Sequence, residues 1–341
     1  MQKDQYWQKV RGFCILAVVW IHTSGFSNDL SYQSFDGIYY FITRNLLSFP
    51  VAVLFFLAGY YTQKCDYWRG YIKKRLVRIG VPYLSFTMGY IIYQIMLFVR
   101  IHDIKGMITY LFKVPRIILL GEAATPFYYS VVLLLFILVT PVLYAAMDTD
   151  FIRVPFIISG FFLVLLYYFQ FTEQAIAQFF PLTPIWLSFY YYGIIAKEQR
   201  HFVFKKSQLK VLCVISLVFL FTESGFLIRF TNTGAFAYSQ MRISAFIFAG
   251  MIIQYAIQYH KKDYPQTMIC KLGDMSYGIY SIHCFWMQFF WIAYERISLL
   301  RECSLVFVQG IEILISLLMS IITIMILQRL FKQKSKILFG V

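Results

Sequence analysis

The chain has 341 residues, of which 60% are hydrophobic and only 14% are charged, and its formal net charge is +15. Soluble globular domains carry about one-quarter charged residues, so this composition excludes an ordinary soluble enzyme. Apolar runs recur along the whole chain and leave no room for a soluble domain. We therefore expect an all-α, polytopic integral membrane bundle, formed by one domain over residues 1–341.

Apolar length and polar interruptions predict about ten membrane-spanning helices, because about 20 residues are needed to cross about 30 Å of hydrocarbon. Most of the 31 Lys and Arg residues fall in segments that lie on the inner side if the N-terminus is cytoplasmic. The positive-inside rule then predicts that both termini are cytoplasmic. The expected spans are residues 8–27, 38–63, 79–99, 127–147, 151–169, 181–196, 209–228, 242–259, 275–294 and 304–328.

The positive charge has a simple interpretation in this topology, since basic loops also contact the anionic headgroups of membrane lipids. The basic residues are spread over separate loops without a basic helix or a recognisable binding module, so no nucleic-acid partner is expected. Five scattered histidines include no pair at metal-ligand helical spacing, and no metal site is predicted. The sequence contains neither a Walker loop nor a Gly-rich dinucleotide fingerprint.

The first predicted span, "VRGFCILAVVWIHTSGF" at residues 10–26, has an arginine at one end and a histidine near the other. Arg11 and His22 are eleven positions apart, which on a helix gives about 16 Å of rise and nearly the same face. His22 would lie deep in the bilayer, where burial disfavours the imidazolium and leaves a ring able to accept a proton or attack an acyl carbon. The alternative is a histidine that hydrogen-bonds a neighbouring helix without any chemistry.

A basic segment, "KCDYWRGYIKKRLVR" at residues 64–78, precedes the third predicted span. Arg75 and Arg78 share a face if this segment is helical, and Lys74 lies beside them. Guanidinium groups bind phosphate in a bidentate way, so the three side chains could hold a polyanionic cofactor on the cytoplasmic side. The alternative is that they only set the topology.

Three further polar residues are candidates for an acceptor pocket. Arg44 lies within the second predicted span and would be costly if it faced lipid, so it is expected to point into the bundle. Glu122 lies near the end of the stretch 100–126, which is compatible with an interfacial or re-entrant helix, and precedes the aromatic "PFYYS". His283, in "GDMSYGIYSIHCFW", is interpreted either as packing polarity or as part of a pocket.

Four motifs in order resemble the acyltransferase 3 family of integral membrane acyltransferases. These are the first span with Arg11 and His22, "FFLAGYY" at 55–61, "KKRLVRIGVPY" at 73–83 and "LGDMSYGIYSIH" at 272–283. The resemblance is closest to stand-alone members that modify surface polysaccharides or their lipid-linked precursors. Two departures occur in "VAVLFFLAGYY", where Ala52 replaces the usual proline and Ala58 the usual serine.

The resemblance implies an enzyme of the bacterial cytoplasmic membrane that moves an acyl group, commonly acetyl from acetyl-CoA, to a sugar hydroxyl. It assigns Arg11 and His22 to the family's essential arginine and histidine, and Arg75 and Arg78 to the element that contacts the donor. Lys74 would assist them. Whether His22 acts as a general base or carries the acyl group is left open by the sequence.

Two other classes of function are compatible with the residues alone. A transporter or flippase could use Arg11, His22 and Arg44 to line a path through the membrane. Against this interpretation, the sequence has no evident inverted repeat and no pair of interrupted spans in corresponding halves. A membrane module that binds or senses a ligand without chemistry is the third alternative.

Overall fold

The computed structural model describes residues 4–23, 34–199, 204–230, 235–261 and 263–340. Within these ranges every regular element is a helix, which confirms the all-α prediction. The last part of the first predicted span, residues 24–27, lies outside the described residues. The α-helices are α1 Gln5–His22, α2 Phe35–Leu46, α3 Pro50–Tyr60, α4 Trp68–Arg100, α5 Ile104–Leu120, α6 Tyr128–Met147, α7 Val154–Phe171, α8 Leu187–Gln199, α9 Lys206–Phe230, α10 Ile243–Gln258, α11 Met268–Asp274, α12 Ser276–Arg296, α13 Ser298–Arg301, α14 Leu305–Phe331 and α15 Ser335–Leu338.

Seven helical segments in the described part of the chain are long and apolar enough to cross a membrane. The first of them contains α2 and α3 with a short break between, and the others centre on α4, α6, α7, α9, α10 and α14. The remaining three predicted spans correspond to α1, α8 and α12. α8 has only 13 residues, whereas α1 and α12 are rich in polar and aromatic side chains. The protein is therefore an integral membrane protein, and the count of ten stays a prediction.

α4 is longer than a membrane requires. Its 33 residues correspond to about 50 Å, against about 30 Å of hydrocarbon. The basic segment that was expected to enter the third span forms the first turns of this same helix. Arg75 and Arg78 are consequently on one helix, three positions apart, as their proposed common role requires.

The core is strongly aromatic and centres on α1, α3, α6 and α8. Trp186 is 1% exposed and stacks on Phe55, with ring centroids 5.8 Å apart and planes at 22°. Phe55 also lies 4.4 Å from the Tyr129 ring at the start of α6. These large buried rings hold α3 and α6 against each other and form one wall of the cavity described below.

α1 crosses α11 at an unusually short distance, which two glycines permit. A Cβ atom at Gly12 would lie 2.1 Å from the carbonyl oxygen of Ile269, and one at Gly273 would lie 2.0 Å from that of Gln8. Any other residue would clash with backbone at both positions. This crossing fixes the helix that carries Arg11 and His22.

A buried polar network joins α2, α7, α9 and α10. The Arg242 side chain is fully buried, and its Nη2 donates to Asn45 Oδ1 at 2.8 Å while its Nη1 lies 3.8 Å from Glu223 Oε2. Glu223 also accepts hydrogen bonds from the hydroxyls of Tyr167 and Ser244. Because both charges are paired and hydrogen-bonded, the network is tolerable in an apolar bundle. It anchors the segment 235–241, which lines the cavity.

Candidate active site

A cavity of about 730 Å³ lies between α1, α2, α3, α12, α14 and the start of α6. Most of its lining is aromatic or aliphatic, as in small-molecule sites generally. The residues that give it chemical character are few, and several of them are ionisable. The polar and ionisable lining residues on these helices are His22, Thr23, Tyr40, Arg44, Tyr128, Tyr129, Tyr280, Cys284, Gln288 and Glu312.

His22 is the last residue of α1, and its side chain opens into this cavity. The end of the helix is held from α14, where Gln309 Nε2 donates to both the carbonyl oxygen and the hydroxyl of Thr23 at 3.0 Å. At the other end Asp4 caps the helix by accepting from the backbone N–H of Tyr6. α1 is therefore fixed at both ends, and the imidazole projects from a rigid support.

His283 lies directly behind His22, with ring centroids 5.4 Å apart and planes tilted by 50°. The side chain is completely buried, and its Nδ1 lies 3.0 Å from the carbonyl oxygen of Ile279. Because a carbonyl oxygen only accepts, Nδ1 carries the hydrogen in this contact and Nε2 is left with a lone pair in the neutral ring. Nε2 lies 3.4 Å from Cys284 Sγ. His283 thus supports His22 from behind without itself lining the cavity.

Arg44 lies in the cavity wall, beside the end of α1. Its Nη1 donates to the carbonyl oxygen of Ile21 at 2.5 Å, and its Cζ lies 5.6 Å from the ring centroid of Tyr40. The Arg44 Nε is buried and has no hydrogen-bond partner among the described residues. A guanidinium with unused donors at this place gives the cavity a positive wall next to His22.

Arg11 lies on α1 about three turns before His22. Its Cζ is 5.3 Å from the ring centroid of Tyr61, and its Nη1 lies 3.4 Å from Gln8 Oε1. About 16 Å of helix separates the two residues, as their spacing predicts. Arg11 is thus remote from the cavity, and a direct role for it at the reacting atoms has no support from this geometry.

Arg75 and Arg11 both contact Tyr61. Its guanidinium donates to the backbone carbonyls of Tyr61 and Ala58 at the C-terminal end of α3, and stacks over Tyr71 at 5.2 Å. A cation at these free carbonyls stabilises the helix end. Arg75 therefore has a structural task that the sequence did not indicate, and only part of its hydrogen-bonding capacity is available to a ligand.

Lys74 and Arg78 lie exposed on α4, and neither forms a hydrogen bond or ion pair with a described residue. A third cation, Lys197 of α8, lies with its Nζ 5.2 Å from the ring centroid of Tyr60. Sequence reasoning did not single out Lys197, because its position after an apolar run is typical of a topology signal. Together these residues make the α3 C-terminal end electropositive.

Glu122 is not part of the cavity lining. Its Oε1 accepts from Arg116 Nε at 3.1 Å and Nη2 at 2.9 Å, in an ion pair whose side chains are 57% and 37% exposed. An acceptor role for Glu122 stays a prediction without geometric support. Surface ion pairs of this kind contribute little to stability.

Glu312 is a cavity residue that sequence reasoning missed. It lies on α14, is 1% exposed, and accepts a hydrogen bond from Trp291 Nε1 at 2.9 Å. The signal that could have found it was present, since an acidic residue inside an apolar span is a functional candidate by default. Glu312 lies in the apolar stretch "QGIEILISLL", where no neighbouring motif marks it.

This arrangement combines an imidazole, a guanidinium and a carboxyl group around one apolar space. An imidazole held in this way can take a proton from a hydroxyl or attack a carbonyl carbon, and fixed polar groups beside it can stabilise developing charge. The described residues contain no group of three His, Cys, Asp or Glu side chains that could hold a metal ion. The fold and the cavity together define a helical membrane protein with an internal site for a small molecule.

Comparison with protein-family models identifies the family. The acyltransferase 3 model, described as an acyltransferase domain, matches residues 5–329. The chain belongs to this family, as the four sequence motifs predicted, and is a membrane acyltransferase. Comparison with curated proteins and with solved structures finds no match.

Proposed function

We propose that the protein is an O-acyltransferase that moves an acetyl group from cytoplasmic acetyl-CoA to a hydroxyl of a sugar or a lipid-linked glycan precursor. The observation that carries the proposal is the position of His22. Its imidazole opens into the cavity from the end of α1, and three turns away on the same helix Arg11 lies in a basic and aromatic region. One rigid element thus connects a region suited to a polyanion with a space suited to a small acceptor.

The donor would bind at the end of α3. Lys74, Arg78 and the unused donors of Arg75 are available to the phosphates of the donor, and Arg11 completes the positive region from α1. The thioester arm would then extend along α1 for about 16 Å to reach His22. In this arrangement Arg11 stabilises donor charge at the entrance and not the oxyanion at the reacting carbon.

The acyl transfer at His22 can proceed in two ways. As a general base, the imidazole accepts the proton of the acceptor hydroxyl while the oxygen attacks the thioester carbon; the C–S bond breaks and the thiolate takes the proton. As a nucleophile, an imidazole nitrogen first forms the bond to the acyl carbon while the C–S bond breaks and the thiolate takes the ring N–H proton; the acceptor oxygen then attacks the acyl carbon, the C–N bond breaks, and the imidazole takes the hydroxyl proton. Arg44, in the cavity wall, would stabilise the negative charge on the carbonyl oxygen in either case.

Location and topology are part of the proposal. Both termini would lie in the cytoplasm of a bacterial cell, residues 1–341 would form one acyltransferase domain, and the basic loops would contact anionic lipids of the cytoplasmic membrane. Reporter fusions to each terminus test the orientation. Activity of a periplasmic reporter at either end would contradict it.

The test of the activity uses purified protein in nanodiscs with acetyl-labelled acetyl-CoA. We expect the wild type to transfer or slowly hydrolyse the acetyl group and His22→Ala to lose at least about a hundredfold of the rate. His102→Asn is the matched control, because His102 is exposed at the end of α4 and has a positive φ of 55°, which asparagine accepts. Wild-type turnover in His22→Ala would overturn the assignment. Transport of label without any change in the thioester would favour the transporter class.

A further inference from the structure

Glu312 is a buried carboxyl group that the proposed transfer reaction does not use. It lies on α14, inside the last predicted span, and is 1% exposed. Burying such a group in an apolar bundle is costly unless it is paired or needed. No cation among the described residues lies within 4 Å of its oxygens. The ordinary structural explanation, a buried ion pair such as that of Glu223, therefore does not apply.

The Glu312 carboxyl group is held in one orientation by the neighbouring helix. Its Oε1 accepts from Trp291 Nε1 at 2.9 Å, whereas its Oε2 accepts no hydrogen bond from any described residue. Both Glu312 and Trp291 line the cavity into which His22 opens. One carboxyl oxygen is thus fixed by the protein and the other is left for an occupant of the cavity.

The surroundings restrict the occupant. On α12, Met287, Gln288 and Ile292 line the same cavity together with Trp291. This part of the lining is therefore apolar and aromatic, with one neutral amide. A purely hydrocarbon occupant would leave the carboxyl oxygen buried and unpaired. A sugar ring matches the carboxyl group and the apolar surface together, since it offers hydroxyl groups at its edge and C–H faces to the aromatic ring.

We propose that Glu312, oriented by Trp291, binds a hydroxyl group of a sugar ring in this cavity and so determines which acceptor is used. The inference rests on the proposed function, because it names the acceptor class of the same site. Glu312 binds and does not react. The hydroxyl that it holds is distinct from the one that receives the acyl group, and its role is to bring the reactive hydroxyl to His22.

The test measures binding of methyl glycosides of glucose, galactose, mannose and N-acetylglucosamine to protein in nanodiscs by tryptophan fluorescence. We expect a saturable response for at least one glycoside, with a Kd raised about tenfold or more in Glu312→Gln, which corresponds to the loss of a hydrogen bond to the buried carboxyl group. Glu295→Gln is the matched control, since Glu295 is an exposed carboxylate on the same helix as Trp291. It should bind as the wild type does.

Two outcomes would overturn the inference. They are the absence of any saturable response in the wild type and an unchanged Kd in Glu312→Gln. The Kd for acetyl-CoA, measured in the same samples, shows whether each variant is folded. If Glu312→Gln fails this criterion, Trp291→Phe replaces it with binding measured by isothermal titration calorimetry, because that variant keeps an aromatic ring and removes the N–H that orients the carboxyl group. An unchanged glycoside Kd in Trp291→Phe would then overturn the inference.

Failure of the inference is distinguishable from failure of the proposed function. Turnover of labelled acetyl-CoA by the wild type reports on the function, whereas the dependence of glycoside binding on Glu312 reports on the inference. If the wild type turns over acetyl-CoA but the Kd for the glycoside is the same in Glu312→Gln, only the inference about Glu312 is wrong. If glycoside binding depends on Glu312 but the wild type does not turn over acetyl-CoA, the transferase proposal is wrong and the cavity is a sugar-binding site.

Discussion

The rings of His22 and His283 lie with centroids 5.4 Å apart, the first at the surface of a cavity and the second completely buried behind it. His283 has its Nδ1–H bound to the backbone, so its neutral ring offers only an acceptor towards its surroundings. A buried ring packed against the His22 imidazole restricts the orientation of that imidazole. His283 is therefore expected to position His22.

Replacing His283 by phenylalanine should lower acyl transfer by about tenfold or more while leaving the donor Kd unchanged, because the ring packing is retained and the lone pair is lost. The measurement is single-turnover transfer from labelled acetyl-CoA, with donor binding determined separately. His283→Asn, which keeps a polar side chain at this position, should restore part of the rate. Equal rates in the wild type and His283→Phe would show that the residue is packing polarity only.

Arg75 and Arg78 should differ in their effects on stability. Arg75→Ala removes donors from the backbone carbonyls at the end of α3, so we expect it to lower the free energy of unfolding by about 1 to 2 kcal/mol. Arg78→Ala removes an exposed side chain and should leave stability within about 0.5 kcal/mol of the wild type.

Thermal unfolding in detergent, together with the Kd for acetyl-CoA, separates the two arginines. Both variants should bind the donor more weakly, but only Arg75→Ala should unfold earlier. An unchanged donor Kd in Arg78→Ala would mean that the exposed basic residues of α4 only set the topology.

The close crossing of α1 and α11 should not tolerate a side chain at Gly12. Gly12→Val would place a branched side chain against the Ile269 backbone, and we expect a loss of about 3 kcal/mol or more, with little folded protein recovered. Gly89→Ala is the control, since a Cβ atom at Gly89 has nothing within 4 Å. That substitution should be neutral or slightly stabilising, because alanine favours the helix. Size-exclusion profiles and folded yield measure both effects, and a normal yield of Gly12→Val would contradict the described crossing.

Breaking the buried network of α2, α7, α9 and α10 should lower the free energy of unfolding substantially. Glu223→Ala leaves the Arg242 guanidinium buried without its carboxylate, and the expected loss is about 3 to 5 kcal/mol. Replacing both residues, as in Glu223→Leu with Arg242→Met, should recover a large part of that loss. Chemical denaturation of the wild type and the two variants tests this, and a double variant no more stable than Glu223→Ala would contradict the pairing.

The helical fold and the family followed from the sequence because they depend on local patterns. Apolar length gives spanning helices, and eleven residues between Arg11 and His22 give a shared helix face, irrespective of the rest of the chain. Seven of the expected spans agree with helices that are long and apolar enough to cross a membrane. The predicted span that corresponds to α8 does not reach the length of a membrane crossing, because its apolar residues lie in a shorter helix.

The site could be predicted only in part. His22 and Arg44 were found because a polar side chain in an apolar span is conspicuous, and the structure gives both a place in the same cavity. Glu312 has the same signature and was overlooked. Glu122 was chosen for its neighbours along the chain, yet its carboxylate is paired with Arg116 on the surface.

The sequence by itself determined that this protein is an all-helical membrane acyltransferase with a histidine towards the end of its first helix, because hydropathy, helical spacing and short motifs are properties of neighbours in the chain. Only the tertiary structure decided that His283 stands behind His22, that Arg75 supports the end of α3 beside Arg11, and that Glu312, hydrogen-bonded to Trp291, lines the cavity. These relationships join residues that are far apart in the sequence. They follow from how the helices pack, and no local pattern specifies that packing.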